Sequence, residues 1–287
     1  MAENFIRSNH VQICTESFGE TVHAAVLLIM GESASMVWWP DEFCRLLASK
    51  QRFVIRYDQR DTGCSTCYTP GKPEYSLEDL ADDAVAVLDS YGIASADIVG
   101  MSMGGRVGQI VALKYPHRVA ALTLVATCGL GAAVSHPTEA HEKLIAYHRQ
   151  GFALDWSDKK ALVDYSVGGW RLLSGEGHAF DEELVREIAT REVERSKNLP
   201  SMFNHGLLPD GFPWAGKSWQ IEVPTLVVHG TDDPVYSCGA GVALCREIPN
   251  AKLLKLAGSG HELHREDWDE IVGVMMMQSV VLSQPAP

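Results

Sequence analysis

The sequence predicts an α/β protein whose mostly parallel sheet is covered by helices on both faces, with a helical cap inserted late in the chain. Three observations carry this. Ala24 to Met30 (Ala-Ala-Val-Leu-Leu-Ile-Met) is uniformly apolar, as a strand buried on both faces must be. Strand-like and helix-like runs alternate with short connections up to about residue 128, and again after about 216, the rhythm of a parallel sheet. Between them, 129–216 shows helical spacing and no clear strand. The expected division is a core domain over 1–128 and 217–287 and a helical cap, or lid, over 129–216.

In chain order, Val11 to Phe18 alternates apolar and polar residues, the pattern of a half-exposed strand. The Ala24–Met30 strand ends in Gly31-Glu32-Ser33, and a short helix follows Trp38-Trp39-Pro40 over Asp41 to Ser49. Arg52 to Asp58 is the next strand, running into the loop Gln59 to Ser65, where an Arg–carboxylate pair between Arg60 and Asp58 is expected to hold a buried turn. Ser76 and Asp79 have the spacing of a capping box, and Leu77, Leu80, Ala84, Val87, Leu88 and Tyr91 then repeat at helical intervals. A strand through Ala96, Ile98 and Val99 meets Gly100-Met101-Ser102-Met103-Gly104-Gly105, a helix runs on from Arg106 to Tyr115, and Val119 to Ala126 is again a strand. Helices are expected around 138–150, 157–173 and 180–197, then a strand over Glu222 to His229, a helix near 239–247, a strand over Lys252 to Ala257 and a last helix near 265–282. Ser283 to Pro287 reads as a frayed end.

Composition narrows the function. With 46% hydrophobic and 21% charged residues over 287 positions, the chain has the make-up of an ordinary globular protein with a substantial core. A net charge of -13 makes nucleic acid and anionic membrane poor partners. Met1-Ala2-Glu3-Asn4 lacks a basic stretch followed by an apolar one, and no apolar run has membrane-spanning length, so neither signal peptide nor membrane segment is expected. Seven scattered cysteines read as reduced thiols of a cytoplasmic protein. Cys64 and Cys67 lie in a loop with no second pair to complete a zinc site, and the chemistry below calls for neither metal nor cofactor. Oligomeric state leaves no sequence signal.

The chemistry centres on Gly100-Met101-Ser102-Met103-Gly104. A sharp strand-to-helix turn lifts the Ser102 hydroxyl above the sheet edge, and its neighbours need minimal side chains to allow the bend. A serine hydroxyl needs a base beside it. His261, in Gly258-Ser259-Gly260-His261 after the last strand, is the candidate; His229, at another strand end, reads as packing. The acid that orients the base should come from Thr231-Asp232-Asp233-Pro234. Gly-x-x-Asp-Pro favours Asp233, with Asp232 the fallback. The oxyanion donors are the backbone N–H of Met103 and that of Glu32, whose carboxyl is expected to turn away or meet a cation, since pointing inward it would oppose an oxyanion. Met36, Trp38 and Trp39 from the core, with Trp170, Phe203, His205 and Trp214 from the cap, are candidate linings of a wide apolar substrate pocket.

These residues carry a resemblance that covers nearly the whole chain. It resembles the α/β-hydrolase-fold serine esterases, and within them the branch of aclacinomycin methylesterases and macrolide esterases. The likeness rests on Leu28-Ile29-Met30-Gly31, Trp39-Pro40-Asp41-Glu42-Phe43, Ile55-Arg56-Tyr57-Asp58-Gln59-Arg60-Asp61-Thr62-Gly63, Gly100-Met101-Ser102-Met103-Gly104, Trp170-Arg171-Leu172-Leu173-Ser174-Gly175 and Gly260-His261. Met30-Gly31 stands where the fold commonly has His-Gly. The resemblance implies Ser102, Asp233 and His261 as a catalytic triad and a small-molecule ester or lactone as partner. Ring-opening of a macrolide, and so antibiotic resistance, is the favoured activity; a polyketide methylesterase or general carboxylesterase is the alternative. A C–C bond hydrolase or perhydrolase, and a small-molecule receptor without useful turnover, share the same scaffold.

Overall fold

The computed structural model describes residues 3–132, 139–209 and 213–281; the frayed end expected over 283–287 lies outside the described residues. Eight strands form one sheet: β1 (Asn4–Ser8), β2 (Val11–Phe18), β3 (Ala24–Ile29), β4 (Arg52–Tyr57), β5 (Ala96–Met101), β6 (Val119–Val125), β7 (Thr225–Gly230) and β8 (Ala251–Leu256). Their spatial order is β1-β2-β4-β3-β5-β6-β7-β8. The pairings of β1 with β2 and of β2 with β4 are antiparallel, and the remaining pairings are parallel. The strand β1 was not anticipated, because Asn4-Phe5-Ile6-Arg7-Ser8 is a half-exposed edge with little apolar pattern.

The helices are α1 (Asp41–Ser49), α2 (Leu77–Ser90), α3 (Met103–Lys114), α4 (Glu139–Gln150), α5 (Lys159–Leu173), α6 (Glu182–Arg195), α7 (Cys238–Glu247) and α8 (Trp268–Val281). Side chains alternate across a strand, so one apolar strand feeds two cores. Leu27 and Ile29 of β3 join α2 and α3 in one cluster. Val26 and Leu28 join Phe43 and Leu47 of α1 and Trp268 and Ile271 of α8 in the other. That two-sided burial is the physical reason for the unbroken apolar run at 24–30. The capping box at Ser76 forms as expected, with reciprocal Ser76 and Asp79 hydrogen bonds at the start of α2.

Between β6 and β7 the described residues hold α4, α5, α6 and short 3-10 turns, and no strand. This insert packs Val163, Val167, Ile188 and Ala189 into the second cluster, and a charged contact links it to the sheet as well. Arg195 at the end of α6 reaches Asp58 at the end of β4 with two bonds, at 2.9 and 2.8 Å. Asp58 also accepts the backbone N–H groups of Met36 (2.9 Å) and Cys64 (2.8 Å). The expected pairing of Arg60 with Asp58 is thereby corrected. Arg60 instead makes a forked pair with Asp83 of α2, at 2.7 and 3.0 Å, because the turn aims it at the helix below.

Candidate active site

The elbow at Ser102 is built by glycine. Ser102 takes φ 52°, ψ -118°, a left-handed conformation that a non-glycine residue adopts only where its surroundings hold it there. Its N–H is anchored on the Val125 carbonyl of β6 at 2.9 Å, and α3 begins with the next residue. A Cβ at Gly100 would come within 2.2 Å of the Gly104 carbonyl oxygen, and one at Gly104 within 2.2 Å of the Ile29 carbonyl oxygen. The elbow helix therefore presses directly on β3 and β5, and only glycine fits at both contacts.

Ser102, His261 and Asp233 come together at the C-terminal edge of the sheet. Ser102 Oγ lies 2.9 Å from His261 Nε2, and His261 Nδ1 lies 2.8 Å from Asp233 Oδ2. The His261 backbone N–H donates to the Leu173 carbonyl at 2.7 Å, so the base loop is fastened to α5. Asp233 Oδ1 accepts the N–H groups of Val235 and Tyr236, each at 2.8 Å. Burial alone would raise the Asp233 pKa. The charge of His261 and the hydrogen bonds from His229 and His261 outweigh it and hold the carboxyl well below the usual carboxylate range. Asp232 faces elsewhere: it accepts from Thr231 Oγ1 at 2.9 Å and from the Glu176 N–H at 3.4 Å.

His229 does more than pack. Its buried Nε2–H donates to the Tyr236 carbonyl at 2.9 Å and lies 3.3 Å from Asp233 Oδ2. It thus braces the turn that presents the acid. The signal was present in the spacing His229-Gly-Thr-Asp-Asp233, which returns the side chain to the carboxylate within one turn.

The proposed oxyanion donors flank the serine. A Cβ at Gly31 would come within 3.2 Å of Ser102 Cβ, so the Gly31-Glu32 segment abuts the nucleophile. Met103 opens α3, where a helix leaves its first N–H groups without intrahelical partners. The Gly31-Glu32-Ser33 loop after β3 is held by His205, whose Nδ1 accepts the Ser33 N–H at 3.1 Å and whose Nε2–H donates to the Arg60 carbonyl at 2.7 Å. Burial lowers the His205 pKa, which suits this neutral, two-ended role. Glu192 of α6 grips the same loop, accepting from the Ser35 N–H at 2.8 Å and from Trp38 Nε1–H at 2.5 Å.

Ser102 and His261 open into a cavity of about 460 Å³, walled by Leu144 of α4, Trp170 and Leu173 of α5, Phe203 and Val235. Trp38 stacks on Trp170 with ring centroids 4.2 Å apart. This pair separates two smaller cavities of about 120 and about 60 Å³. Trp170 and Phe203 thus lie where a substrate lining was expected, with Trp38 one layer behind. The other four expected linings reach none of these cavities. Met36 and Trp39 are fully buried in the core, Trp39 against Phe43. His205 is the loop brace just described. Trp214 donates Nε1–H to Glu78 of α2 at 3.2 Å, on the far side of the sheet edge. Aromatic composition does not distinguish a wall from a core; only packing does. Glu32 borders the cavity and keeps an exposed face, and among the described residues its carboxyl forms no ion pair.

His264 gains a neighbour that the sequence did not indicate. His178 stacks on it at 4.4 Å, and with Glu266 their ligand atoms come within 4.8 Å of one another. Each ring nitrogen there already has a hydrogen-bond partner: Glu266 and Asp267 carboxylates for His178, the Ala179 carbonyl and the Glu266 N–H for His264.

The family model for the alpha/beta hydrolase fold matches residues 24–267. The chain is 31% identical to the rhodomycin D methylesterase DauP of Streptomyces sp. (strain C5), over 92% of this chain and 93% of that one. It is 29% identical, over the same shares, to the rhodomycin D methylesterase DnrP of Streptomyces peucetius. Among solved structures, the esterase RhEst1 from Rhodococcus sp. ECU1013 superposes with a TM-score of 0.76 at 20% identity, over 99% of this chain and all of that one.

Proposed function

This chain belongs to the alpha/beta hydrolase fold family, and from that premise we propose that it is a serine-type carboxylic ester hydrolase acting on an ester or lactone of a bulky, largely apolar polyketide. The single observation that carries the reading is the continuous line from Ser102 Oγ through His261 to Asp233, at 2.9 and 2.8 Å, opening into an apolar cavity. Ser102, His261 and Asp233 act as nucleophile, general base and orienting acid. The Met103 and Glu32 N–H groups receive the oxyanion, and Trp38, Trp170 and Phe203 shape the substrate site. We read 129–216 as a cap over a core formed by 1–128 and 217–287, working in the cytoplasm with seven unpaired cysteines.

In this scheme His261 takes the Ser102 proton as the serine attacks the ester carbonyl. The alcohol leaves with that proton, and an acyl-enzyme remains. Water, deprotonated by His261, then releases the acid. The side chains of the triad, the two N–H donors and one water suffice for these steps. A lactone adds a constraint: its alcohol stays tethered and must be held aside before water attacks.

Two finer readings divide the class. Macrolide ring-opening, with a role in resistance, follows from the resemblance and suits a wide cavity. Removal of a methyl ester is favoured by the two rhodomycin D methylesterases that match over nine-tenths of the chain. Mass spectrometry of macrolides and methyl-ester polyketides, incubated with wild type and Ser102→Ala, separates them. Gain of one water by a macrolide, absent with the variant, supports ring-opening; loss of a methyl group supports the methylesterase. In H₂¹⁸O the label should enter the acid once, and label in the alcohol would overturn the acyl-enzyme scheme.

A further inference from the structure

Among the described residues, Glu32 is the only acid lining the cavity of Ser102 and His261. It also borders the adjoining cavity of about 120 Å³, so it stands where the two meet. Glu32 keeps an exposed face. The protein around its carboxyl still pushes its pKa up, while Arg106 and His261 pull the other way. Position 206 is glycine, and a Cβ there would come within 2.9 Å of Glu32 Oε1. The chain thus leaves room for the carboxyl. Among the described residues, no side chain hydrogen-bonds to it or pairs with it in direct contact.

The surrounding wall is apolar and aromatic, with Trp170, Phe203 and Leu207. A lone carboxylate beside aromatic rings suits a cation, since the carboxylate supplies charge and the ring faces add cation–π attraction. Besides His261, the groups at the cavity that can carry positive charge come from α4: His141, His148 and the exposed Arg149. Burial pushes His148 toward its neutral form.

We propose that Glu32 is a cation subsite, and that the ester or lactone cleaved by this pocket carries an ammonium group placed against it. This rests on the esterase reading above, and the test separates the two. Two pairs of isosteric esters, one member cationic and one neutral, are compared. The first is acetylthiocholine against S-(3,3-dimethylbutyl) thioacetate, with the charge on the leaving side. The second is a 4-nitrophenyl ester whose acyl chain ends in trimethylammonium, against its tert-butyl isostere.

In wild type, kcat/KM should favour the cation in at least one pair by about tenfold, as a charge-assisted contact of ~1.4 kcal/mol gives. In Glu32→Gln the ratio should fall to about one, whatever happens to the absolute rates. A wild-type ratio near one in both pairs, or a ratio that survives Glu32→Gln, overturns the proposal. If wild type cleaves none of the four compounds, the esterase reading fails instead. The cation preference is then read as a ratio of Kd values from quenching of the cavity tryptophans, against the same criteria.

Discussion

Asp233→Asn tests the catalytic reading most sharply, because the surroundings of Asp233 dictate how the amide must sit. Oδ1 accepts two backbone N–H groups, from Val235 and Tyr236, at 2.8 Å each. An Asn oxygen can replace it there; an Asn NH2 would face two donors. The oxygen therefore takes the Oδ1 position, and the NH2 is left pointing at His261 Nδ1 and His229 Nε2. Facing a donor, His261 must put its own proton on Nε2, the nitrogen 2.9 Å from Ser102 Oγ. A protonated Nε2 cannot accept the serine proton. The fold keeps its shape while the base is in the wrong tautomer, so kcat for a simple aryl ester should fall about 10⁴-fold. That is ~5.5 kcal/mol of transition-state stabilisation, with KM little changed. Asp232→Asn, whose oxygens serve Thr231 and Glu176, should stay within about threefold of wild type, as expected of a surface hydrogen bond worth under ~1 kcal/mol. Initial rates with 4-nitrophenyl butyrate, alongside thermal melts, suffice. An Asp233→Asn enzyme within tenfold of wild type, or an Asp232→Asn enzyme losing more, would refute the assignment.

Three further expectations follow from packing and charge. Gly104→Ala sets a methyl against two backbone carbonyls that cannot move aside, so it should cost about 3 kcal/mol or more by urea titration, whereas Gly273→Ala in α8, with open space around it, should be neutral or stabilising by ~1 kcal/mol. Because the folded-state pKa of Glu32 is raised, its ionisation works against the folded state, and that cost appears as pH rises from the ordinary carboxylate range through the raised value. Melting curves of Glu32→Gln and wild type should therefore coincide at acid pH and separate in favour of the variant as pH rises; a constant gap would contradict this. Trp170→Ala removes the partition between three cavities, so the chain-length optimum on 4-nitrophenyl esters should move to longer acyl groups, and an unmoved optimum would show that the stack does not bound the acyl site.

Much of this was legible in the chain because it depends on local chemistry. The elbow glycines, the capping box at Ser76 and the unbroken apolar run of β3 each state a backbone requirement in adjacent residues. Of the two adjacent acids, the turn pointed to Asp233, and it is Asp233 that meets His261. Less legible was everything set by long-range approach. Asp58 has an arginine two residues away in sequence, yet it pairs with Arg195, 137 residues on. Trp38 and Trp39 are neighbours, yet one stacks on Trp170 toward the cavities while the other is sealed against Phe43. No periodicity separates those two, because successive residues in the turn before α1 point to opposite sides of one layer.

The sequence by itself determined the layered α/β architecture and the strained turn at Ser102, since both follow from backbone constraints and spacing. Tertiary structure alone decided which aromatics wall the cavity, that Arg195 reaches Asp58, and that Glu32 borders the cavity. Those outcomes depend on how α4, α5 and α6 pack against the rest of the described residues. Packing joins residues more than a hundred positions apart, where neither propensity nor pattern carries information.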